Sequence, residues 1–371
     1  MKVAQICPRF YPDIGGVETH VYEISRRLAK EFEVEVLTTD PSGKLPKVEE
    51  FEDFTVRRFR SFAPGDAYYF SLELYRFLKK NSSNYDLIHA HNYHAFPALF
   101  AALSKRESKL VFTPHYHGYG HGFFRNLLHR PYKLLGKIIF KKAEAVICVS
   151  NYEKRLILKS FRVNKSKIHV IPNGIDIEEF EGIDKVKVRK DNGLKRILFV
   201  GRIEKYKGLD YVVRALKHLP ESFILEAVGK GSYKPRIVKL AKEIGVIDRI
   251  KFYQDLSREE LIRKYAEADV FVLLSKHEAY GISVAEALAA KTPCIVAKTS
   301  ALSEWVDNRN VFGLNHPISI EELTDLIEKV SRIGVEDVKI PSWDAVVERL
   351  KKVYRGVLYG ISEKECIEVS K

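Results

Sequence analysis

Short apolar runs recur along the whole chain, each followed by a longer stretch in which apolar residues return every three or four positions. Residues 3–7 (VAQIC), 34–38, 55–60, 87–89, 110–113, 145–149 and 168–171 form a first series. A second series follows at 196–200, 224–228, 250–253, 270–274 and 293–297. Near-continuous apolar runs of this kind suit strands buried on both faces, and the periodic segments between them suit crossover helices. The expectation is therefore an α/β chain with parallel sheets. The two series predict two Rossmann-like domains of similar size facing a cleft, at 1–174 and 195–340. A polar, charge-rich linker is expected at 175–194, and a C-terminal helical segment at 341–371, amphipathic to residue 358, with Trp343 near its start.

Hydrophobic residues make up 46% of the 371 positions and charged residues 30%, which excludes a disordered chain. No run approaches the length of a membrane-spanning helix. The opening MKVAQICPRFYP is interrupted by Gln5 and Pro8 and reads as a first strand, not a signal peptide. Cys7, Cys148, Cys294 and Cys366 are scattered; the first three lie in apolar strand-like runs, as reduced thiols of a cytoplasmic protein would. Gln5 and Gln254 are the sole glutamines beside one methionine and abundant Lys and Glu, which leans toward a thermophile source. A net charge of +13 suits an anionic partner, whether nucleotide, nucleic acid or anionic membrane surface, without choosing among them.

Within 275–293 (SKHEAYGISVAEALAAKTP), Glu278 follows the apolar strand ADVFVLL, and Glu286 lies eight positions on in an alanine-rich helix. Gly281 marks the turn between them. Ligands of open α/β sheets gather at the carboxyl ends of strands, and a helix side chain leans back toward its N-terminus. Both glutamates can then reach one mouth, where paired carboxylates suit the hydroxyls of sugars.

Gly201-Arg202-Ile203-Glu204-Lys205-Tyr206-Lys207-Gly208 follows the strand RILFV directly. Arg202 and Lys207 are placed to grip a diphosphate, or they form an ordinary basic turn. Gly15-Gly16 opens a helix after the first strand, where backbone N–H groups can approach phosphate. The pattern is not G-x-G-x-x-G, which speaks against a nicotinamide site. Gly229-Lys230-Gly231 ends another strand and either borders the nucleotide or makes a turn. No Asp-x-Asp pair occurs to hold a divalent cation on a diphosphate, so no metal and no other cofactor is expected.

His89, His91, His94, His115, His117 and His121 account for half of the 12 histidines. Two His-x-His pairs invite a zinc reading, yet no acid or cysteine stands nearby at a metal-motif spacing. Both clusters follow apolar strands and so fall at the carboxyl edge of the sheet.

Taken in order, Gly15-Gly16, Thr113-Pro114-His115, Pro172-Asn173-Gly174, Gly201-Arg202…Lys207-Gly208 and Glu278…Glu286 resemble the retaining, nucleotide-sugar-dependent glycosyltransferases of family 4. The likeness spans nearly the whole chain and implies the two-domain GT-B fold, whose last helix commonly crosses back to the first domain. It implies that Arg202 and Lys207 neutralise the donor diphosphate together with the Gly15-Gly16 loop. Glu278 with Ala279, Tyr280, Gly281 and Ile282 would hold the transferred sugar, Glu286 the nucleotide ribose, and His115 would lie by the sugar at the reaction centre. His91 and His117 would shape the acceptor side, while His89 and His94 read as structural. The sequence departs from the family's pattern at Ala279-Tyr280-Gly281-Ile282, Ser232, Lys291 and 300–304. The stretch FYPDIGGVETHV is similar to transferases that place N-acetylglucosamine on phosphatidylinositol.

Residues 122–142 carry six basic side chains and no acid, interleaved with aromatic and aliphatic ones. This suits a helix on an anionic bilayer as well as one that buries a face in its own domain. A weaker candidate lies at 67–80. The resulting expectation is a hexosyltransferase moving a sugar from a nucleoside-diphosphate sugar to a sugar, lipid or lipid-linked acceptor, with no nucleic acid partner. It would be cytoplasmic and peripheral on the inner face of the cell membrane. The alternatives are an epimerase or hydrolase of nucleotide sugars, or a non-catalytic nucleotide-sugar-binding protein.

Overall fold

A computed structural model of the chain describes residues 1–13, 15–118, 123–182, 193–336 and 338–360, with the backbone alone for 123–131. His121, Gly122, positions 183–192 of the expected linker and the tail from 361 onward, Cys366 included, lie outside the described residues. The chain divides into two compact units, Met1–Gly174 with Trp343–Lys371, and Ile175–Ser342.

In the first unit, β1 (Lys2–Ile6), β2 (Glu33–Asp40), β3 (Val48–Phe51), β4 (Phe54–Arg60), β5 (Leu87–His91), β6 (Lys109–Thr113), β7 (Ala145–Cys148) and β8 (Ile168–Val170) build one sheet. Their order is β3-β4-β2-β1-β5-β6-β7-β8. Val3 stands opposite Val34 on one side and Leu87 on the other, both in parallel register. The strand order turns at β1, so the loops after β1 and β5 open at the crevice where ligands of such sheets bind. The antiparallel edge strand β3 departs from the sequence expectation. Its sequence, VEEF, puts two glutamates between its apolar ends, and at a half-exposed edge no buried run is required.

Helices α1 (Gly16–Leu28), α2 (Leu72–Asn81), α3 (Phe96–Ser104), α4 (Phe123–Lys142) and α5 (Asn151–Ser160) cover this sheet. The first of them carries Glu18 in its first turn and Arg26 and Arg27 in its last, matching the helix dipole at both ends. In the described half of α4, Tyr132, Ile139 and Phe140 are buried, whereas Leu134, Lys137, Lys141 and Lys142 are exposed. The long final helix, Trp343–Tyr359, belongs to this unit as well. Its Trp343, Val346, Val347, Leu350 and Tyr354 share a core with Val3, Val21, Ile24 and Leu28. Lys351 Nζ reaches Glu31 Oε1 at 2.5 Å.

The second unit holds a wholly parallel sheet of β9 (Lys195–Val200), β10 (Phe223–Val228), β11 (Ile250–Tyr253), β12 (Val270–Leu273), β13 (Cys294–Ala297) and β14 (Val311–Leu314). The order β11-β10-β9-β12-β13-β14 again turns at its first strand. Two Rossmann-like sheets, parallel but for the edge strand β3, give the α/β class expected from the sequence. Strand β14, VFGL, was not expected, because Gly313 and its short length hide it. Phe180, at the start of the stretch expected as linker, is buried in the core of this unit.

Candidate functional site

Strands β9 and β12 are neighbours, and the order of the second sheet turns between them. The loops leaving their carboxyl ends run from Gly201 to Gly208 and from Leu274 to Gly281. Gly208 closes the first loop with a left-handed φ of +75° and caps the helix Leu209–Leu216. A Cβ at Gly208 would lie 2.6 Å from the Leu274 carbonyl oxygen, so its lack of a side chain lets the two loops touch. At Gly229 a Cβ would lie 2.1 Å from the Gly201 carbonyl oxygen, which packs the Gly229-Lys230-Gly231 turn against the same loop. Ser232 donates from its backbone and hydroxyl to Glu204, at 3.0 Å each.

This contact between loops brings Lys207 to Glu278, with Nζ 2.5 Å from Oε1 and both side chains largely buried. Burial disfavours the ammonium, yet Glu278 and the neighbouring Tyr206 together raise Lys207 above its ordinary value, so it stays charged. Arg202 lies more exposed and donates from Nη2 to the Tyr206 hydroxyl at 2.9 Å. Glu278 is fixed from its own backbone: its N–H donates to Ser300 Oγ at 3.0 Å, and its carbonyl accepts from Ala301 at 3.3 Å. Ala279 and Tyr280 lead to Gly281, left-handed at φ +101°, which opens the helix Ile282–Ala289. The Tyr280 carbonyl accepts from Trp305 Nε1 at 2.8 Å.

Glu286 has different partners. Its Oε1 lies 2.5 Å from Arg258 Nη1, and its Oε2 accepts from the Tyr265 hydroxyl at 2.8 Å. Arg258 also holds Glu179 at 2.7 Å. Burial, then Glu286 itself, pushes the Tyr265 phenol well above its ordinary value and keeps it a donor.

The remaining expected residues lie in the first unit. A Cβ at Gly15 would come 2.5 Å from Glu18 Oε2, and Glu18 in turn binds Arg9 Nε at 3.0 Å. Burial raises the Glu18 carboxyl above its ordinary value, against the pull of Arg9. Gly16 starts α1, and one turn on stands His20, whose ring centroid is 5.0 Å from that of His115. His115 adopts a left-handed φ of +48° and is buried. His91 is fully buried, its Nε2 2.8 Å from Gln5 Oε1. Its burial gives it no surface to present to an acceptor. His117 stacks on His94 at 4.5 Å. His89 is held on both sides, by the Tyr354 hydroxyl at 2.6 Å and Thr113 Oγ1 at 2.7 Å.

The expected residues thus divide between the units, with Arg202, Lys207 and 278–286 in the second and Gly15, Gly16 and His115 in the first; Glu278 and Glu286 are held by separate partners. His20, Arg258, Tyr265 and Ser300 were not anticipated from sequence. Each meets its partner through the fold; His20 sits inside the stretch FYPDIGGVETHV and Ser300 at the start of the departing segment 300–304, while Arg258 and Tyr265 lie outside every stretch singled out.

Residues 14–179 match the family model for Glycosyltransferase Family 4, and residues 181–352 that for Glycosyl transferases group 1. An uncharacterized glycosyltransferase of Methanocaldococcus jannaschii, MJ1069, is 30% identical over 339 residues, covering 84% of this chain and 83% of that one. A D-inositol 3-phosphate glycosyltransferase of Xylanimonas cellulosilytica is 28% identical over 328 residues, 78% of this chain and 77% of its own. Among solved structures, sucrose-phosphate synthase from Thermosynechococcus elongatus superposes with a TM-score of 0.80 at 20% identity, covering 97% of this chain and 100% of that one. Anabaena Alr3699/HepE, solved in complex with UDP and glucose, superposes at 0.72 with 17% identity, covering 100% of both chains.

Proposed function

The chain belongs to family 4 of the glycosyltransferases, and from that premise we propose that it moves a sugar, with retention at the anomeric carbon, from a nucleoside-diphosphate sugar to an acceptor hydroxyl on a lipid or lipid-linked glycan. The observation that carries this reading is the Lys207–Glu278 pair, a largely buried cation and carboxylate where the strand order turns. Arg202 and Lys207 would meet the diphosphate and stabilise the charge that grows on it as the sugar leaves. The Gly15-Gly16 loop would add backbone N–H groups. Glu278 and residues 279–282 would orient the sugar, Glu286 would clamp the ribose, and His115 would lie by the reacting carbon.

Glu278 is already engaged by Lys207, which favours front-face attack over a covalent intermediate on that carboxylate. The diphosphate charge is assigned to side chains and amides because the sequence contains no Asp-x-Asp. The name of the Xylanimonas relative makes inositol phosphate the competing acceptor to a lipid, and the Anabaena structure, solved with UDP, supports a nucleoside-diphosphate sugar donor.

No helix among the described residues is long and apolar enough to cross a membrane. The exposed Leu134, Lys137, Lys141 and Lys142 of α4 support a cytoplasmic protein docking peripherally on an anionic bilayer. Nucleotide release from a panel of activated sugars, with and without inositol phosphate or membrane lipid extract, tests the reading. Release only with acceptor supports transfer; release without it indicates a hydrolase, interconversion an epimerase, and binding without turnover a non-catalytic role. Failure to sediment with anionic vesicles at low salt would remove the membrane part.

A further inference from the structure

We propose that His20, His91 and His115 form a binding site for a divalent cation of the zinc class, which ties the start of α1 to the ends of β5 and β6. His115 is shared with the proposed reaction centre, but the cation is inferred from the three buried rings and does not rest on the transferase reading. The three residues come from different elements: His20 from the second turn of α1, His91 from the last position of β5, and His115 from the loop just past β6. All three are buried, and a potential ligand atom from each lies within 4.8 Å of the others.

The hydrogen bonds decide which nitrogens are left over. A carbonyl oxygen only accepts, so His20 Nδ1 donates to Asn173 Oδ1 at 2.8 Å, and His91 Nε2 donates to Gln5 Oε1 at 2.8 Å. Those bonds leave lone pairs on His20 Nε2 and His91 Nδ1. Both atoms are buried without a hydrogen-bond partner, and so is His115 Nε2. Unpaired buried acceptors are costly. With the His115 proton on Nδ1 three lone pairs converge; a water could donate to two of them at most, whereas one cation satisfies all three. Imidazole nitrogens suit zinc, and ligating histidines usually give their second N–H to a carbonyl or carboxylate, as His20 and His91 do here. Burial pushes His20 down to about 4 and holds His91 and His115 well below their ordinary values, so the rings are neutral and able to ligate at physiological pH. His89, although its ring centroid is 4.1 Å from that of His91, has both nitrogens engaged and is left out of the set.

Zn–N bonds of about 2.0–2.1 Å at tetrahedral angles set ligand nitrogens about 3.3 Å apart, so the rings must draw together around the ion by up to about 1.5 Å. The left-handed backbone at His115, strained for a residue other than glycine, is then explained as the conformation that presents its ring. The metal would anchor the helix that the Gly15-Gly16 loop opens, and its role is positional.

Metal-stripped full-length protein should bind one Co2+ per chain with the visible absorption of a low-symmetry, nitrogen-ligated ion, and Zn2+ should displace it and raise Tm. His20→Ala and His91→Ala should abolish the spectrum. Asn173→Ala, which removes only the outer partner of His20, should weaken Zn2+ binding by about 10- to 100-fold. His94→Ala should bind as the parent does. Should a histidine variant fail to fold, the parent's stoichiometry and the Asn173→Ala affinity still decide. Absence of a Co2+ spectrum in the parent together with a Tm indifferent to Zn2+ would overturn the proposal. So would equal affinity in the parent and Asn173→Ala.

Discussion

Lys207 Nζ and Glu278 Oε1 lie 2.5 Å apart although 71 positions separate them in the chain. One belongs to the loop after β9 and the other to the loop after β12, so the contact exists only when the second sheet is correctly ordered. A charge pair this well buried costs more to break from one side than to remove whole.

Lys207→Met alone is expected to destabilise the protein by about 1–3 kcal/mol, more than the double variant Lys207→Met/Glu278→Gln does. Either Lys207→Ala or Glu278→Ala should cut turnover on the order of a hundredfold, read as nucleotide released from the preferred donor. Near-normal turnover in both would remove them from the site.

Tyr265→Phe deletes one of the two groups that hold the Glu286 carboxylate while leaving Arg258 in place. The loss should raise KM for the donor several-fold with a smaller effect on kcat, since a ribose clamp acts in ground and transition states alike. A pure kcat defect would argue that Glu286 is not a donor clamp.

Gly208→Ala should destabilise by about 1–3 kcal/mol, because the left-handed backbone there disfavours a side chain and a Cβ would strike the Leu274 carbonyl. Thermal unfolding checks this, and a neutral result would mean the two loops can separate without cost.

Glu153 supplies a pH signature. It lies fully buried at the start of α5 and accepts the Tyr116 and Val149 N–H groups at 2.5 and 2.7 Å. Burial nevertheless pushes its carboxyl from an ordinary 4.5 up to about 8, against those two bonds. The folded protein therefore holds the proton more tightly than the unfolded chain does. This contribution to stability is complete below about pH 4.5 and is lost as pH rises toward 8, by a few kcal/mol. Urea unfolding across that range should show the decline, and Glu153→Gln should flatten it.

The alternating apolar runs were enough to reveal both sheets, because strands buried on both faces need an unbroken apolar sequence. The runs at 3–7, 110–113 and 270–274 coincide with β1, β6 and β12 to within a residue or so. Strands β3 and β14 were not legible: VEEF lies at an exposed edge, and VFGL carries a glycine that makes room for Lys298. The site was legible where a motif is local. Gly201 to Gly208 and Glu278 to Glu286 each read as one strand-loop-helix unit. The partners that hold those residues were not, because Ser300 and Arg258 reach Glu278 and Glu286 from 22 and 28 positions away. His20 carries no local signal for a related reason, since its companions arrive from β5 and the loop beyond β6.

The first unit combines residues 1–174 with the helix Trp343–Tyr359, whose Trp343, Leu350 and Tyr354 are seated in its core beside Val3 and Val21. The ribosome therefore releases everything the second unit needs before it releases the last pieces of the first. During synthesis the later-encoded half can mature earlier, while the half begun first waits, with Gln5 and His89 lacking the phenol that joins them, until the closing segment emerges.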